Sequence, residues 1–224
     1  MDVASFIAID GPVGSGKTTV GRLLAARLGH TFLDTGVMYR AVTYLALQKN
    51  VSLNDAPALT KLASTTEMEL VPASGEECRV IVDSGDLTDR LRSPEVDRAV
   101  SAVSAVPGVR EVLVRLQREV AIRGQIVMVG RDIGTVVLPG ADLKIYLVAC
   151  PEERARRRYL ETLQRDEPTN YDQVLADLKR RDKLDSERAL APLQPASDAA
   201  IVDTDGLDVA EVLNKVVSLI EEKQ

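Results

Sequence analysis

Apolar residues along the chain follow two alternating patterns. Short, nearly continuous apolar runs are typical of strands that are covered on both faces of a sheet. Between them, apolar residues recur every three or four positions, as in amphipathic helices. The strand pattern occurs at residues 6–9, 31–33, 126–129, 144–148 and 201–203, and the helical pattern at 20–28, 38–45, 109–120 and 209–220. This alternation predicts an α/β fold in which a parallel sheet is flanked by helices.

One segment interrupts this alternation. Residues 68–71 and 79–82 have the character of two short strands on either side of the turn-rich stretch 72–75, which predicts an antiparallel pair. We interpret the chain, 1–224, as a single domain whose α/β core carries an inserted subdomain at 63–105.

Helix start signals locate two helices more closely. Ser93 followed by Pro94 matches an N-cap and the first helical position. Asp208 and Glu211 have the spacing of a capping box, which predicts a final helix with one buried stripe. That stripe comprises Val209, Val212, Leu213, Val216 and Ile220.

Composition narrows the classes of function. The chain has no Trp, 3% aromatic residues and a net charge of −6, which disfavours binding to long nucleic acid. Its cysteines, Cys78 and Cys150, are far apart, which suggests neither a disulfide framework nor a zinc site. With a single histidine, His30, a mechanism based on a histidine triad or on several histidine metal ligands has little to work with. No apolar run reaches the roughly 18 residues of a membrane span. We expect a cytoplasmic monomer that binds small molecules rather than nucleic acid or membrane.

A glycine-rich loop carries the strongest chemical signal. Residues 11–18 read GPVGSGKT and match the phosphate-binding pattern GxxxxGK[ST], directly between a predicted strand and a predicted helix. Backbone N–H groups of such a loop point at phosphate oxygens, Lys17 reaches the β and γ phosphates, and Thr18 ligates Mg²⁺. The pattern predicts ATP and Mg²⁺ as ligands. The ATP-binding residues are expected to be Gly11, Pro12, Val13, Gly14, Ser15, Gly16, Lys17, Thr18 and Thr19.

The loop leaves the phosphate acceptor open, so we considered the arginines, which bind phosphate through a planar fork of donors. Arg40 and Arg131 each follow the end of a predicted strand, where ligands bind in parallel sheets. A basic tract extends from Arg154 to Arg188. It is interpreted either as a solvated helix face or as a mobile lid that closes over ATP.

Asp132, next to Arg131, has three interpretations. It is a candidate Mg²⁺ ligand, a residue that caps a turn at a strand end, or a residue of the acceptor site. In the acceptor site a carboxylate would accept a hydrogen bond from the N4 amine of cytosine, which uracil lacks.

Taken together, several stretches of the chain resemble the bacterial cytidylate kinase family. The stretches are 9–12 (IDGP), 33–40 (LDTGVMYR), 130–137 (GRDIGTVV) and 188–193 (RALAPL). The similarity extends nearly from end to end, and the inserted antiparallel segment matches the nucleoside-monophosphate-binding subdomain of that family. The resemblance implies a P-loop nucleoside monophosphate kinase fold with a helical, arginine-bearing lid at 151–172.

The resemblance also implies individual roles. The residues expected near the acceptor phosphate are Thr35, Arg40, Arg131 and Arg188, those near the cytosine are Ser101, Arg110 and Asp132, and those near the sugar are Arg181 and Asp185. The lid arginines are Arg154, Arg157 and Arg158, of which Arg157 is expected to bind ATP. The expected catalytic residues are Lys17, Arg131, Arg154 and Arg158. Thr35 replaces a serine of some members and keeps the hydroxyl.

The predicted function is ATP-dependent phosphorylation of CMP and dCMP to CDP and dCDP. Two alternatives remain open at this stage. One is a P-loop kinase for another small acceptor, such as UMP, a purine monophosphate or shikimate. The other is a nucleotide-binding switch without turnover.

Overall fold

The structure is a computed structural model that describes residues 5–71, 78–164 and 168–222. Its strands are β1 (Phe6–Asp10), β2 (Thr31–Asp34), β3 (Met68–Val71), β4 (Arg79–Val82), β5 (Gly85–Asp86), β6 (Ile126–Gly130), β7 (Leu143–Val148) and β8 (Ala200–Asp203). The larger sheet has the order β2-β6-β1-β7-β8, and its strand pairs are all parallel. The predicted fold class, an α/β fold with a parallel sheet, is confirmed.

Helices flank this sheet on both faces. They are α1 (Lys17–Leu28), α2 (Gly36–Gln48), α3 (Ala56–Thr65), α4 (Pro94–Ser104), α5 (Pro107–Ala121), α6 (Pro151–Leu163), α7 (Tyr171–Glu187) and α8 (Val209–Glu221). A 3-10 turn spans Thr88–Arg92, and a π-helical turn spans Ile133–Val137. Among the residues that the structure describes, no helix has both the length and the apolar character needed to cross a membrane.

The central strand β1 shows how the pattern of apolar residues builds the core. Side chains alternate between the two faces of a strand, and the consecutive residues Ile7, Ala8 and Ile9 are all fully or almost fully buried. Ile7 and Ile9 pack with residues of α1 and α8, whereas Ala8 packs with residues of α2 and α5. Burial on both faces explains why the strand is a continuous apolar run.

The predicted helix starts are confirmed, with one correction in the last helix. Ser93 caps α4 by accepting a hydrogen bond from the Val96 amide at 3.4 Å. Asp208 and Glu211 form the reciprocal capping box of α8, with both bonds at 2.8 Å. The prediction that Val209 is buried is wrong, because this first residue of α8 is 45% exposed.

The smaller sheet, β3-β4-β5, is antiparallel, as the interruption of the α/β pattern predicts. In its register Met68 pairs with Val82 and Leu70 pairs with Val80. The predicted turn at 72–75 lies outside the described residues. The boundaries 63–105 of the inserted subdomain stay a prediction.

The topology brings three loops to one edge of the large sheet. The glycine-rich loop follows β1, Thr35 follows β2, and Arg131 follows β6. Because β6 and β1 are neighbours and β2 lies beside β6, the carboxyl ends of these three strands meet. This edge is where open α/β sheets bind their ligands.

Candidate active site

A cavity of about 770 Å³ opens at this edge of the sheet. Its wall includes the glycine-rich loop from Val13 onward, the start of α2, and the loop after β6. Basic side chains on its wall are Lys17, Arg40, Arg92, Arg110, Arg131, Arg157, Arg158, Arg181 and Arg188. Such a concentration of cations in one concave site favours an anionic ligand with more than one phosphate.

The glycine-rich loop depends on backbone conformations that glycine supplies. Gly11 has φ of 151°, and a Cβ atom there would lie 2.3 Å from the Leu147 carbonyl oxygen. Gly14 has φ of 78°, and its added Cβ would lie 3.1 Å from Cβ of Arg154. The loop is therefore packed so closely against β7 and α6 that side chains do not fit.

Lys17 begins α1 directly after the loop. Its side chain is buried, and its amine donates to the Pro12 carbonyl at 3.0 Å. Burial and the nearby Arg131 guanidinium lower the pKa of this amine well below its usual range. A phosphate group beside the amine would offset both effects and keep the amine charged.

The next residue connects the loop to the end of β2. The Thr18 hydroxyl donates to one oxygen of Asp34 at 2.8 Å, and the other Asp34 oxygen accepts from the Gly36 amide at 2.9 Å. Thr18 and Asp34 both line the cavity. The threonine and carboxylate oxygens thus lie together beside the phosphate-binding loop.

A buried ion cluster lies on the wall of the same cavity. Arg110 donates to one Asp132 oxygen, and NH2 of Arg188 lies 3.5 Å from the other. The three side chains are only 6–7% exposed. The Tyr39 ring lies 5.6 Å from the Arg110 guanidinium carbon and closes this corner with an aromatic face. Asp132 makes no capping bond to the turn that follows it, which disfavours its interpretation as a turn cap.

Arg131 points along the same wall. Its Nε donates to Asp185 of α7 at 3.0 Å, and its NH1 donates to the Gly130 carbonyl at 3.3 Å. Thr35 is buried, and its hydroxyl donates to the Val129 carbonyl at 3.0 Å. These contacts fix the residues that follow β2 and β6 before any ligand arrives.

The arginines of α6 differ in their surroundings. Arg157 and Arg158 line the cavity, whereas Arg154 lies behind the glycine-rich loop. Arg154 donates to the carbonyls of Val13 and Ala149 at 3.0 and 2.9 Å and forms a two-bond ion pair with Asp182. Residues 165–167 of the predicted lid lie outside the described residues.

The comparison with known proteins decides the family. The model of the family described as cytidylate kinase matches residues 7–222. The chain belongs to the cytidylate kinase family.

Relatives in this family match over almost their whole length. Cytidylate kinase of Carboxydothermus hydrogenoformans is 46% identical, with 97% of each chain covered. Cytidylate kinase of Bacillus velezensis is 45% identical, with 100% of this chain and 99% of the relative covered. A solved structure from Thermus thermophilus has a TM-score of 0.51 at 18% identity, covers 99% of this chain and 98% of that chain, and shows the fold alone.

In this member of the cytidylate kinase family, most of the predicted site residues line one cavity. The predicted residues on its wall are Val13, Gly14, Ser15, Gly16, Lys17, Thr18, Thr19, Thr35, Arg40, Ser101, Arg110, Arg131, Asp132, Arg157, Arg158, Arg181, Asp185 and Arg188. Gly11 and Pro12 belong to the loop but do not line the cavity, and Arg154 contacts the loop from outside the cavity wall. The predicted catalytic role of Arg154 stays a prediction, and the contacts of Arg154 show a residue that holds the loop in place.

Sequence reasoning gave no role to three carboxylates: Asp34, which lines the cavity, and Asp10 and Asp97, which contact residues next to it. Asp34 could have been found, because it ends a strand beside the predicted phosphate loop. Asp10 accepts hydrogen bonds from the Ile133 and Gly134 amides, both at 2.8 Å. It thereby connects the strand before the glycine-rich loop to the turn after Asp132.

Asp10 gives the protein a predicted pH dependence. Burial raises the pKa of its carboxyl from 3.8 to about 6, although the two amide bonds oppose the shift. The folded protein therefore binds this proton more tightly than the unfolded chain, so the contribution of Asp10 to stability increases as pH falls from about 6 towards about 4.

An Asp10→Asn variant should lack this dependence. Between pH 7 and pH 4 the wild type should gain about 2 kcal/mol of unfolding free energy relative to the variant. Urea denaturation of both proteins at several pH values measures the difference. A difference that stays constant over this range would show that the carboxyl has an ordinary pKa.

Proposed function

We propose that this protein transfers the γ-phosphoryl group of ATP to CMP and dCMP, giving CDP and dCDP. The observation that carries the proposal is the buried Arg110–Asp132–Arg188 cluster on the wall of the cavity that the phosphate-binding loop also lines. One cavity thus offers a site for a triphosphate and a site for a monophosphate with a hydrogen-bonding base.

The donor side of this proposal consists of the glycine-rich loop, Lys17 and Arg157. Loop amides hold the phosphates, and the Lys17 amine neutralises charge on the β and γ groups. Arg157 donates to the hydroxyl and the carbonyl of Thr204, which fixes its guanidinium on the cavity wall. Arg158, on the same wall, adds positive charge near the transferring group.

The acceptor side reads the base through Asp132. Arg110 and Arg188 hold this buried carboxylate in place, so that it can accept a hydrogen bond from the N4 amine of cytosine. Uracil presents a carbonyl oxygen at that position, which would meet the carboxylate with an unfavourable contact. Ser101, also expected near the base, is buried and lines the same cavity.

Arginines hold the phosphate of the acceptor. We assign this contact to Arg40, Arg131 and Arg188, with Thr35, and the sugar contact to Arg181 and Asp185. The transfer needs no general base, because a monophosphate has a second pKa of about 6 and its oxygens are already ionised at pH 7. The protein's task is therefore to hold donor and acceptor in line and to compensate negative charge.

Thr18 and Asp34 fit a magnesium ion. Mg²⁺ prefers oxygen ligands and keeps much of its coordination for substrate phosphates and water. Within the part of the chain that the structure describes, no group of three or more His, Cys, Asp or Glu residues would hold a metal on its own. A hydroxyl and a carboxylate beside the phosphate loop match this requirement. When bound, the ion would supply charge neutralisation to the β and γ phosphates.

An acceptor panel tests the proposal. Purified protein with ATP and magnesium should phosphorylate CMP and dCMP, and react at least about tenfold more slowly with UMP because the base contact is lost. AMP and shikimate should give no product above background. Equal rates on CMP and UMP would remove the assigned role of Asp132, and ATP binding without ADP release on addition of CMP would indicate a switch.

Arg131→Ala should lower kcat/KM for CMP by about one to two decades, since one charge-assisted phosphate contact contributes roughly 1.5–3 kcal/mol. Steady-state kinetics with CMP varied at saturating ATP measure the loss. Arg156→Ala is the matched control, because Arg156 lies on α6, is 58% exposed and pairs with Glu153 of the same helix. Unchanged kinetics in Arg131→Ala would remove this residue from the site.

A further inference from the structure

Asp97, in the first turn of α4, contacts arginines from three different helices. Its Oδ1 accepts from NH2 of Arg40 at 2.6 Å and from NH1 of Arg181 at 3.4 Å. Its Oδ2 lies 3.9 Å from NH2 of Arg158. The Asp97 carboxylate therefore links α4 to three other helices, α2, α6 and α7.

The carboxylate contacts these arginines without itself being part of the cavity wall. Arg40, Arg158 and Arg181 line the cavity, but Asp97 does not. Arg40 donates to Asp97 through NH2 and to the Leu91 carbonyl, at 3.0 Å, through NH1. A guanidinium has five N–H donors, so these two contacts do not use all the donors of Arg40, which lines the cavity.

Without a counter-charge these arginines would repel one another. Burial, together with the nearby Arg131, lowers the pKa of Arg181 to about 10, so positive charge in this region is already unfavourable. Burial also raises the pKa of the Asp97 carboxyl, but Arg40, Arg181 and Arg158 outweigh it and hold the pKa below its usual value. Asp97 is thus ionised at neutral pH and offsets part of the repulsion.

The contacts of Asp97 are more buried than ordinary ion pairs at the protein surface. The side chains of Arg40, Arg181 and Asp97 are 17%, 13% and 25% exposed. The surface pair of Arg79 and Asp86 has exposures of 59% and 38%. Solvent screens an exposed pair strongly, whereas a partly buried pair keeps much of its orienting effect.

We propose that Asp97 is a positioning residue of the acceptor site, which orients the guanidinium groups of Arg40 and Arg181 towards the phosphate and sugar of the nucleoside monophosphate. The inference rests on the proposed function, because it assumes that these arginines meet the acceptor. Preorganised donors bind an anion more tightly than donors that must first be ordered. Loss of Asp97 should therefore weaken acceptor binding more than it affects ATP.

Asp97→Asn tests this role, because it keeps the shape of the side chain and removes its charge. The KM for CMP should rise about tenfold, while the KM for ATP should change less than about twofold. Asp97→Glu, which retains the charge, should restore part of the loss. The matched control is Glu95→Gln, which removes an exposed charge from the same helical turn and should leave both KM values unchanged.

A double-mutant cycle makes the test specific for positioning. If Asp97 acts through Arg40, then Asp97→Asn should raise the KM for CMP less than about threefold in an Arg40→Ala background. Equal effects in both backgrounds, or an unchanged KM for CMP in a folded Asp97→Asn protein, would overturn the inference. Failure of the wild type to phosphorylate CMP would instead overturn the proposed function, so the two failures are distinguishable.

Discussion

Replacing Lys17 by methionine should lower kcat/KM for CMP phosphorylation by about three decades, a larger loss than for any single arginine of the acceptor site. Lys17 is buried directly after the glycine-rich loop, and its amine is the loop's only charged side chain. Its amine would contact the β and γ phosphates, and the bond that breaks lies between these two groups. Its positive charge is therefore needed most in the transition state, when negative charge moves between them. Methionine has a similar length and no charge.

Steady-state kinetics and the melting temperature of the Lys17→Met protein should be measured together. Because burial and the nearby Arg131 make the charged amine unfavourable, the variant should be at least as stable as the wild type. Lys183→Met is the control, since Lys183 is exposed on α7. A Lys17→Met enzyme that keeps more than about a tenth of the wild-type kcat/KM would show that Lys17 does not act on the transferring group.

Asp132→Asn should have the second largest effect. It removes the negative charge that Arg110 and Arg188 share and leaves buried guanidinium charge less well compensated. Breaking a buried pair in this way costs about 3–5 kcal/mol of unfolding free energy. We also expect kcat/KM for CMP to fall by about two decades, and the preference for CMP over UMP to be largely lost.

A double variant separates stability from recognition. Adding Arg110→Met to Asp132→Asn removes both members of the pair and should recover much of the stability, as the replacement of buried ion pairs often does. It should not recover the preference for CMP, because the carboxylate that meets the N4 amine is still missing. A preference for CMP over UMP that survives in either variant would show that other residues read the base.

Local signals predicted the donor side of this site. The glycine-rich loop is contiguous, and the positions of Gly11 and Gly14 reflect close packing that any phosphate loop of this kind needs. Arg131 and Asp132 were predicted because they directly follow an apolar strand. The order of the strands then places both segments at one edge of the sheet.

Contacts between residues far apart in the chain could not be predicted from the sequence. Asp97 meets Arg181 across 84 positions of the chain, and no periodicity or motif relates the two. In the sequence, Arg154 cannot be told apart from Arg157 and Arg158 in the same basic tract. In the structure, however, its guanidinium donates to the Val13 carbonyl. The sequence also did not predict the π-helical turn at Ile133–Val137, whose first two amides donate to the Asp10 carboxylate, 123 and 124 positions away along the chain.

Formation of CDP from CMP is the most direct test of the account. Purified protein should be incubated with ATP, CMP and magnesium, and the nucleotides separated and quantified over time. The account predicts that CDP and ADP appear in equal amounts, and that ADP formation depends on added CMP. Protein that binds ATP but yields no CDP, or that releases ADP at the same rate without CMP, would contradict it.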